Sequence, residues 1–299
     1  MAREFNLLVI LGPTASGKTQ VGVRTARALN GEIISADSRQ VYRGMDLGTG
    51  KDLKEYGEVP FHLIDIVDPG YEFSVFEFQR RFVPGFFGIQ NRGKLPILVG
   101  GTGLYLEAVL KGFRLAEVPL NPKLRAELEP LSLEDLADHL KAINPSLHNT
   151  TDLLLRERVI RAIEIAQFQG DPSSQPSLPD LSPIVFGIRW PKDMHCQRIS
   201  RRLRERIHQG MIEEIKRLNK AGISFEKLDF YGLEYRYGAR YLQGQLNKND
   251  LFQKLNSAIR QFAKRQETWF RRMERLGTRI HWIAGDKDPA EEILKVLEK

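Results

Sequence analysis

Hydrophobic positions along the chain fall into two rhythms. Short, nearly unbroken apolar runs lie at Leu7–Leu11, Glu32–Ala36, Phe61–Ile66, Leu95–Val99, Ile184–Arg189 and Arg279–Ile283. Runs of this kind fit strands covered on both faces. Between them, apolar residues recur at helical spacing over Lys18–Leu29, Ser74–Ile89 and Leu104–Leu110. The alternation predicts an α/β fold, a parallel sheet flanked by helices. Ligands of such sheets bind beyond the C-terminal strand ends. That rule makes neighbours of Gly12–Thr19, Asp37–Gln40 and Gly100–Gly103.

The rhythm changes from about Phe113 to Pro183. Strand signals stop, and helical segments are expected at Ser132–Ile143 and Leu154–Gln169, followed by a loop over Gly170–Ser177. The predicted organisation is a core of residues 1–113 and 184–299 with a helical insertion domain over 114–183. Met194–Arg275 reads as mostly helical, with a break at Asp229-Phe230-Tyr231-Gly232, and a last helix spans Pro289–Glu298.

The first apolar run leads into Gly12-Pro13-Thr14-Ala15-Ser16-Gly17-Lys18-Thr19. The spacing G-x-x-x-x-G-K-[ST] between a strand and a helix is a phosphate-binding loop. Its glycines let the backbone wrap an anion. Its amides and the helix N-terminus supply partial positive charge. Lys18 reaches the outer phosphate, and the Thr19 hydroxyl is the expected ligand of a magnesium ion.

Bulk numbers narrow the picture. With 299 residues, 41% hydrophobic and 28% charged, the chain suits one large soluble domain or two smaller ones. The single cysteine, Cys196, excludes an intrachain disulfide and a cysteine zinc site. No apolar run is long enough to span a membrane, and Met1–Phe5 leads directly into the first strand. A cytoplasmic protein is expected, and a monomer. The net charge is +7 and the pI about 9.4, a weak pointer to a polyanionic partner. The distribution says more. Arg198, Arg201, Arg202, Arg204 and Arg206 crowd one stretch, and Arg260, Lys264, Arg265, Arg271, Arg272, Arg275 and Arg279 another.

Asp37 ends the second strand and overlooks the ligand site; a turn or cap role is the bland alternative. The fourth strand ends in Gly100-Gly101-Thr102-Gly103, where ATP-driven machines carry an acidic residue. Asp65 follows a strand and could substitute, but no second acidic residue follows it. A group-transfer enzyme is therefore favoured over a motor.

Six motifs occur in order: Gly12–Thr19; Asp37-Ser38-Arg39-Gln40-Val41-Tyr42-Arg43-Gly44-Met45-Asp46-Leu47-Gly48-Thr49; His62-Leu63-Ile64-Asp65; Gly100–Tyr105; Arg158–Glu164; and Phe262-Ala263-Lys264-Arg265-Gln266-Glu267-Thr268-Trp269-Phe270-Arg271. Together they resemble the tRNA dimethylallyltransferases, also called tRNA isopentenyltransferases, over nearly the whole chain. Members have a nucleotide-kinase-like P-loop core with a helical insertion and are often labelled ATP-binding. The region Phe230–Tyr237 keeps a Gly, Glu, Tyr and Arg but departs from the family's usual order, as does Ile143-Asn144-Pro145. The sequence looks like a divergent branch.

The resemblance implies transfer of a dimethylallyl group from dimethylallyl diphosphate to N6 of the adenosine 3′ of the anticodon in tRNA. Gly12, Pro13, Thr14, Ala15, Ser16, Gly17, Lys18 and Thr19 would hold the diphosphate, with Mg2+. Asp37 resembles the aspartate that hydrogen-bonds the acceptor amine, and Thr102 a residue near the acceptor nucleotide. From the spacing of Gln197-Arg198-Ile199 and Gly210, Arg202 resembles the diphosphate-contacting arginine, with Arg201 and Arg204 as competitors. Asp37, Ser38, Arg39, Gln40, Thr102, Arg158, Arg161, Lys264, Arg265, Gln266, Trp269 and Arg271 would meet the anticodon stem-loop. Trp269, Phe270 and Tyr42 are candidate platforms for a flipped base, although Phe270 fits a core position better. A small-molecule P-loop kinase is the alternative, but it has no use for two basic helices. A nucleotide switch without chemistry is a third reading.

Overall fold

The computed structural model describes residues 4–145, 153, 156–168 and 178–298. Two compact units emerge, Met1–Phe113 with Ser177–Lys299, and Arg114–Pro176. Leu178 and Leu181 already pack on the larger core, so the chain is back in it before the next strand begins.

The larger unit holds a six-stranded, all-parallel sheet of β1 (Leu7–Leu11), β2 (Gly31–Ala36), β3 (Phe61–His62), β4 (Leu95–Gly100), β5 (Pro183–Arg189) and β6 (His281–Ala284). The spatial order is β3-β2-β4-β1-β5-β6. Alternation assigns side chains to faces. Leu7, Val9 and Leu11 enter one apolar cluster, while Leu8 and Ile10 enter the other. All five β1 residues are buried, which explains the unbroken apolar run. β3 is shorter than the expected Phe61–Ile66. Leu63 (φ 63°) and Asp65 (φ 54°) turn left-handed, which ends strand geometry after His62.

Helices α1 (Lys18–Leu29), α2 (Val75–Asn91) and α3 (Gly103–Leu110) cover the sheet. α2 starts with a capping box, Ser74 and Glu77 each satisfying the other's backbone amide. After β5 come α7 (Lys192–His208), α8 (Met211–Lys220), α9 (Phe225–Phe230), α10 (Leu233–Leu242) and the 28-residue α11 (Lys248–Arg275); α12 (Pro289–Leu297) follows β6. No helix among the described residues is long and apolar enough to cross a membrane.

The smaller unit consists of α4 (Pro122–Leu128), α5 (Leu133–Ile143) and α6 (Arg156–Gln167). Leu128, Leu136, Leu140, Val159, Ile160 and Ile163 form its core. The ends of the expected helix at Leu154 and Gln169, and the expected loop Gly170–Ser177, lie outside the described residues.

Candidate active site

Register builds the site first. Leu11 pairs with Gly100, and Gly100 with Ala36, so Gly12, Gly101 and Asp37 leave the sheet side by side. A side-chain carbon at Gly100 would overlap the Ala36 backbone, which is why the strand ends in glycine.

The phosphate loop is held from outside by its carbonyls. His195 Nε2 lies 2.9 Å from Thr14 O, Arg198 Nε donates to Ala15 O at 3.0 Å, and Trp190 Nε1 donates to Ser16 O at 2.9 Å. With these oxygens fixed outward, the amides of the following helical turn are left for an anion. Ala15 (φ 61°) and Gly17 (φ 87°) adopt the left-handed region that this curl needs. Gln266 bridges the loop to the fourth strand end. Its Oε1 accepts from Thr14 N at 2.8 Å, and its Nε2 donates to Gly101 O at 2.8 Å. The Thr14 amide is therefore committed to Gln266, and Gln266 is buried among loop atoms.

A cluster of cations converges here. Arg198, Arg202 and Arg206 sit four residues apart on α7 and share one face. Arg202 Nη2 donates to Asp52 Oδ2 at 2.7 Å and to Gly50 O at 3.4 Å. Arg201 instead pairs with Glu205 at 3.7 Å, exposed, and Arg204 lies over the Phe252 ring at 5.1 Å. Burial lowers the Lys18 amine to about 8; Arg202 and Arg206 add to the effect, and Asp37 opposes it. Burial and the neighbouring Arg202 likewise lower Arg206 to about 10. Among the described residues, four buried side-chain polar atoms lack a hydrogen-bond partner, and two of these, Ser16 Oγ and Arg206 Nη2, are in this region. Buried, mutually repelling cations beside open amides suit a multiply charged anion.

Asp37 faces the same space. Its Oδ1 accepts from the Arg39 amide at 2.9 Å, which fixes the carboxylate's orientation. Thr102 Oγ1 accepts from Ser38 N at 3.0 Å, and Thr102 N donates to Ala36 O at 3.2 Å, lacing the two strand exits together. Arg39 lies over the Phe230 ring, 4.8 Å from its centroid.

Several sequence expectations need correction. Tyr42 is not a platform for a base: it is 1% exposed and packs edge-on against Tyr231. Phe270 is wholly buried, as its core alternative required. Gln40 is buried; it accepts from Ser35 Oγ at 3.0 Å and donates to Gly50 O at 3.1 Å, holding the loop that carries Gly50. Asp65 is an ion-pair partner of the buried Lys51, which also donates to Tyr42 O at 2.6 Å and pairs with Asp46 at 2.7 Å. Asp65 is thereby committed to a structural knot. Trp269 is half-buried against Gly103, with Nε1 donating to Glu107 Oε2 at 3.0 Å.

Lys264, Arg265 and Arg271 are exposed on α11, at separations of one, six and seven residues. In the smaller unit Arg158 is exposed, whereas Arg161 turns inward. It donates to Val118 O at 2.6 Å and to Glu164 at 2.8 Å. Sequence reading missed His195, Trp190 and Gly50. A helical projection of α7 would have found the shared face of Arg198, Arg202 and Arg206. Nothing local marks His195 or Trp190, whose partners lie 181 and 174 residues away.

Comparison with known proteins identifies the chain's relatives. The IPP transferase family model matches residues 40–273, and an isopentenyl transferase model matches residues 5–58. The chain is 64% identical to tRNA dimethylallyltransferase 1 of Geotalea uraniireducens, over 98% of this chain and 97% of that one. It is 61% identical to tRNA dimethylallyltransferase 2 of Syntrophotalea carbinolica, covering 98% of each. Among solved structures, it is similar to the tRNA isopentenylpyrophosphate transferase of Bacillus halodurans. That match has a TM-score of 0.72 at 36% identity, over 98% of this chain and 94% of that one. The chain belongs to the IPP transferase family.

Proposed function

We propose that this member of the IPP transferase family moves a dimethylallyl group from dimethylallyl diphosphate to N6 of the adenosine 3′ of the anticodon in tRNA, releasing diphosphate. The observation that carries the reading is the convergence of an anion-binding loop, a cation cluster and an oriented carboxylate, Asp37, at one sheet edge. The curated relatives are named as tRNA dimethylallyltransferases.

The chemistry has two demands. An exocyclic adenine amine is a poor nucleophile, because its lone pair is shared with the ring. As its N6–C bond forms, the allylic C–O bond breaks and the electron pair leaves with diphosphate. The loop amides, Lys18 and Arg202 stabilise that developing charge. Preorganised donors of this kind are each worth on the order of 3–4 kcal/mol. Asp37 accepts the hydrogen bond of the attacking amine and takes its proton. Thr102, tied to Ser38, stands beside it at the acceptor's edge.

Magnesium is part of this reading: the Thr19 hydroxyl, with phosphate oxygens and water, would hold the ion. When bound, it would neutralise charge on the leaving diphosphate.

The acceptor base must leave its stack to reach the loop. An anticodon loop, single-stranded, permits that. Lys264, Arg265 and Arg271 on α11, with Arg158 on the insertion, supply charge for the RNA backbone. The kinase alternative is weaker, because it has no use for the basic helices and the curated relatives are named as tRNA dimethylallyltransferases.

The test is direct. The protein is mixed with dimethylallyl diphosphate, magnesium and unmodified bulk tRNA, and digests are examined by mass spectrometry. N6-dimethylallyl adenosine is expected. Its absence, together with ATP turnover, would favour the kinase reading.

A further inference from the structure

Arg206 is a buried cation with poorly placed partners. It is 6% exposed, in the last turn of α7, on the face that carries Arg198 and Arg202. Its Nη2 has no hydrogen-bond partner. The nearest carboxylates stand off, Asp52 Oδ2 at 3.6 Å from Nη2 and Glu234 Oε1 at 3.9 Å from Nη1. Asp52 Oδ2 accepts from Arg202 Nη2 instead, at 2.7 Å. Two guanidinium groups thus share one aspartate.

Both aim at the same place. A side-chain carbon built on Gly50 would overlap Nη2 of Arg206 and Nη2 of Arg202. Gly50 has φ 66° and is pinned by Gln40, and its lack of a side chain lets both guanidinium groups close in on its backbone. Lys18 is near enough for its ammonium to feel both arginines. A buried cation is costly when left unpaired. Here its unpartnered nitrogen lies beside Arg202, on the helix face whose Arg198 bonds the loop carbonyl of Ala15.

We propose that Arg206 is a second diphosphate-binding guanidinium, a catalytic residue that closes on the leaving group beside Arg202. Glu234 steadies it while the site is empty. As the allylic C–O bond breaks, the electron pair collects on diphosphate, and Arg206 Nη2 donates to an oxygen that gains charge. This rests on the reading of the loop as the donor's diphosphate site. It extends that reading with a residue from the basic helix whose burial set it apart from a solvated face.

The experiment uses inorganic diphosphate with magnesium, titrated by calorimetry and thermal shift into the full chain and into Arg206→Met and Arg206→Gln. Both variants should bind diphosphate about ten- to a hundredfold more weakly, the range for loss of one charged hydrogen bond. The melting midpoint of the empty variants should hold or rise, because an ill-paired buried cation is gone, while the diphosphate-induced shift shrinks. A purely structural arginine would behave the other way, with a lower midpoint and an intact ligand shift. Arg206→Gln keeps a polar partner for Glu234, so a folding failure confined to Arg206→Met leaves the test in force. Wild-type diphosphate affinity in a folded variant overturns the role of Arg206 alone. No diphosphate binding by the unsubstituted chain overturns the donor-site reading and this inference with it.

Discussion

Two regions of this molecule bury charge, and they treat it in opposite ways. In the helical insertion, Glu164 is fully surrounded. It accepts from Arg125 at 2.7 and 3.0 Å, from Arg161 at 2.8 Å and from the Asn121 amide at 3.0 Å. Burial alone would raise this carboxyl, but the two guanidinium groups and the amide outweigh it and hold it at about 2. At the sheet edge, Lys18, Arg202 and Arg206 press on one another, and Lys18 and Arg206 are pushed toward neutrality. Satisfied charge holds a fold together. Charge that the protein leaves unsatisfied is held ready for something else.

The comparison can be broken at either end. The largest effect is expected from Asp37→Asn, which should lower turnover by roughly 10²–10⁴-fold, the usual share of a positioned base. Binding of tRNA and the melting midpoint should stay near those of the parent. Turnover close to the parent's would take Asp37 out of the mechanism.

Glu164→Gln should do the reverse, destabilising by about 2–3 kcal/mol with the transfer rate of the folded protein kept; the arginines' partial exposure keeps the figure below that of a wholly buried pair. The sign with pH follows from the lowered carboxyl. Its contribution is present above the ordinary carboxylate range and is lost as pH falls toward about 2. Urea unfolding at pH 7 and at pH 3 checks this, because the gap between parent and variant should narrow in acid.

A smaller change concerns the Lys18 ammonium, which is charged below about 8 in the empty protein. Diphosphate prefers that form, so its affinity should decline by up to about tenfold per pH unit above 8. In unfolding, the same group works in the other direction. Keeping it charged costs stability below pH 8, and the cost fades as pH rises toward the free-lysine value. An affinity flat from pH 7 to 9.5 would contradict the lowered amine.

The smallest effect is the salt slope of tRNA binding. Substituting Lys264, Arg265 or Arg271 by Ala should each reduce the slope of log affinity against log salt by about 0.7–0.9. A parent affinity that ignores salt would sink the electrostatic reading of α11.

Much of this architecture was legible in the chain. β1, β2 and β4, buried on both faces, leave unbroken apolar runs, so the centre of the sheet was foreseeable, and the loop motif locates its working end; β3 and β6 are partly exposed and signal more weakly. What escaped was set by contacts distant in sequence. β3 stops at His62 because Leu63 and Asp65 turn left-handed, which composition does not announce. Gln40 and Gln266 look like surface amides in the sequence, yet both are buried: Gln266 bridges two backbones, and Gln40 joins the Ser35 hydroxyl to the Gly50 carbonyl. Tyr42 sits in a motif that invites a functional reading, but its ring is packed against Tyr231, which lies 189 positions further along the chain.

The bridge made by Gln266 also has a bearing on time. Its side chain joins Thr14, at a separation of 252 residues, to Gly101. A ribosome adding about 5–20 residues per second needs on the order of ten to fifty seconds to travel that far. For that interval the anion loop exists without its inner brace, and His195, Trp190 and Arg198 arrive well before it. The nascent protein is thereby kept from full competence until α11 is made, so a chain cut short before that helix would carry the loop's sequence without its working shape.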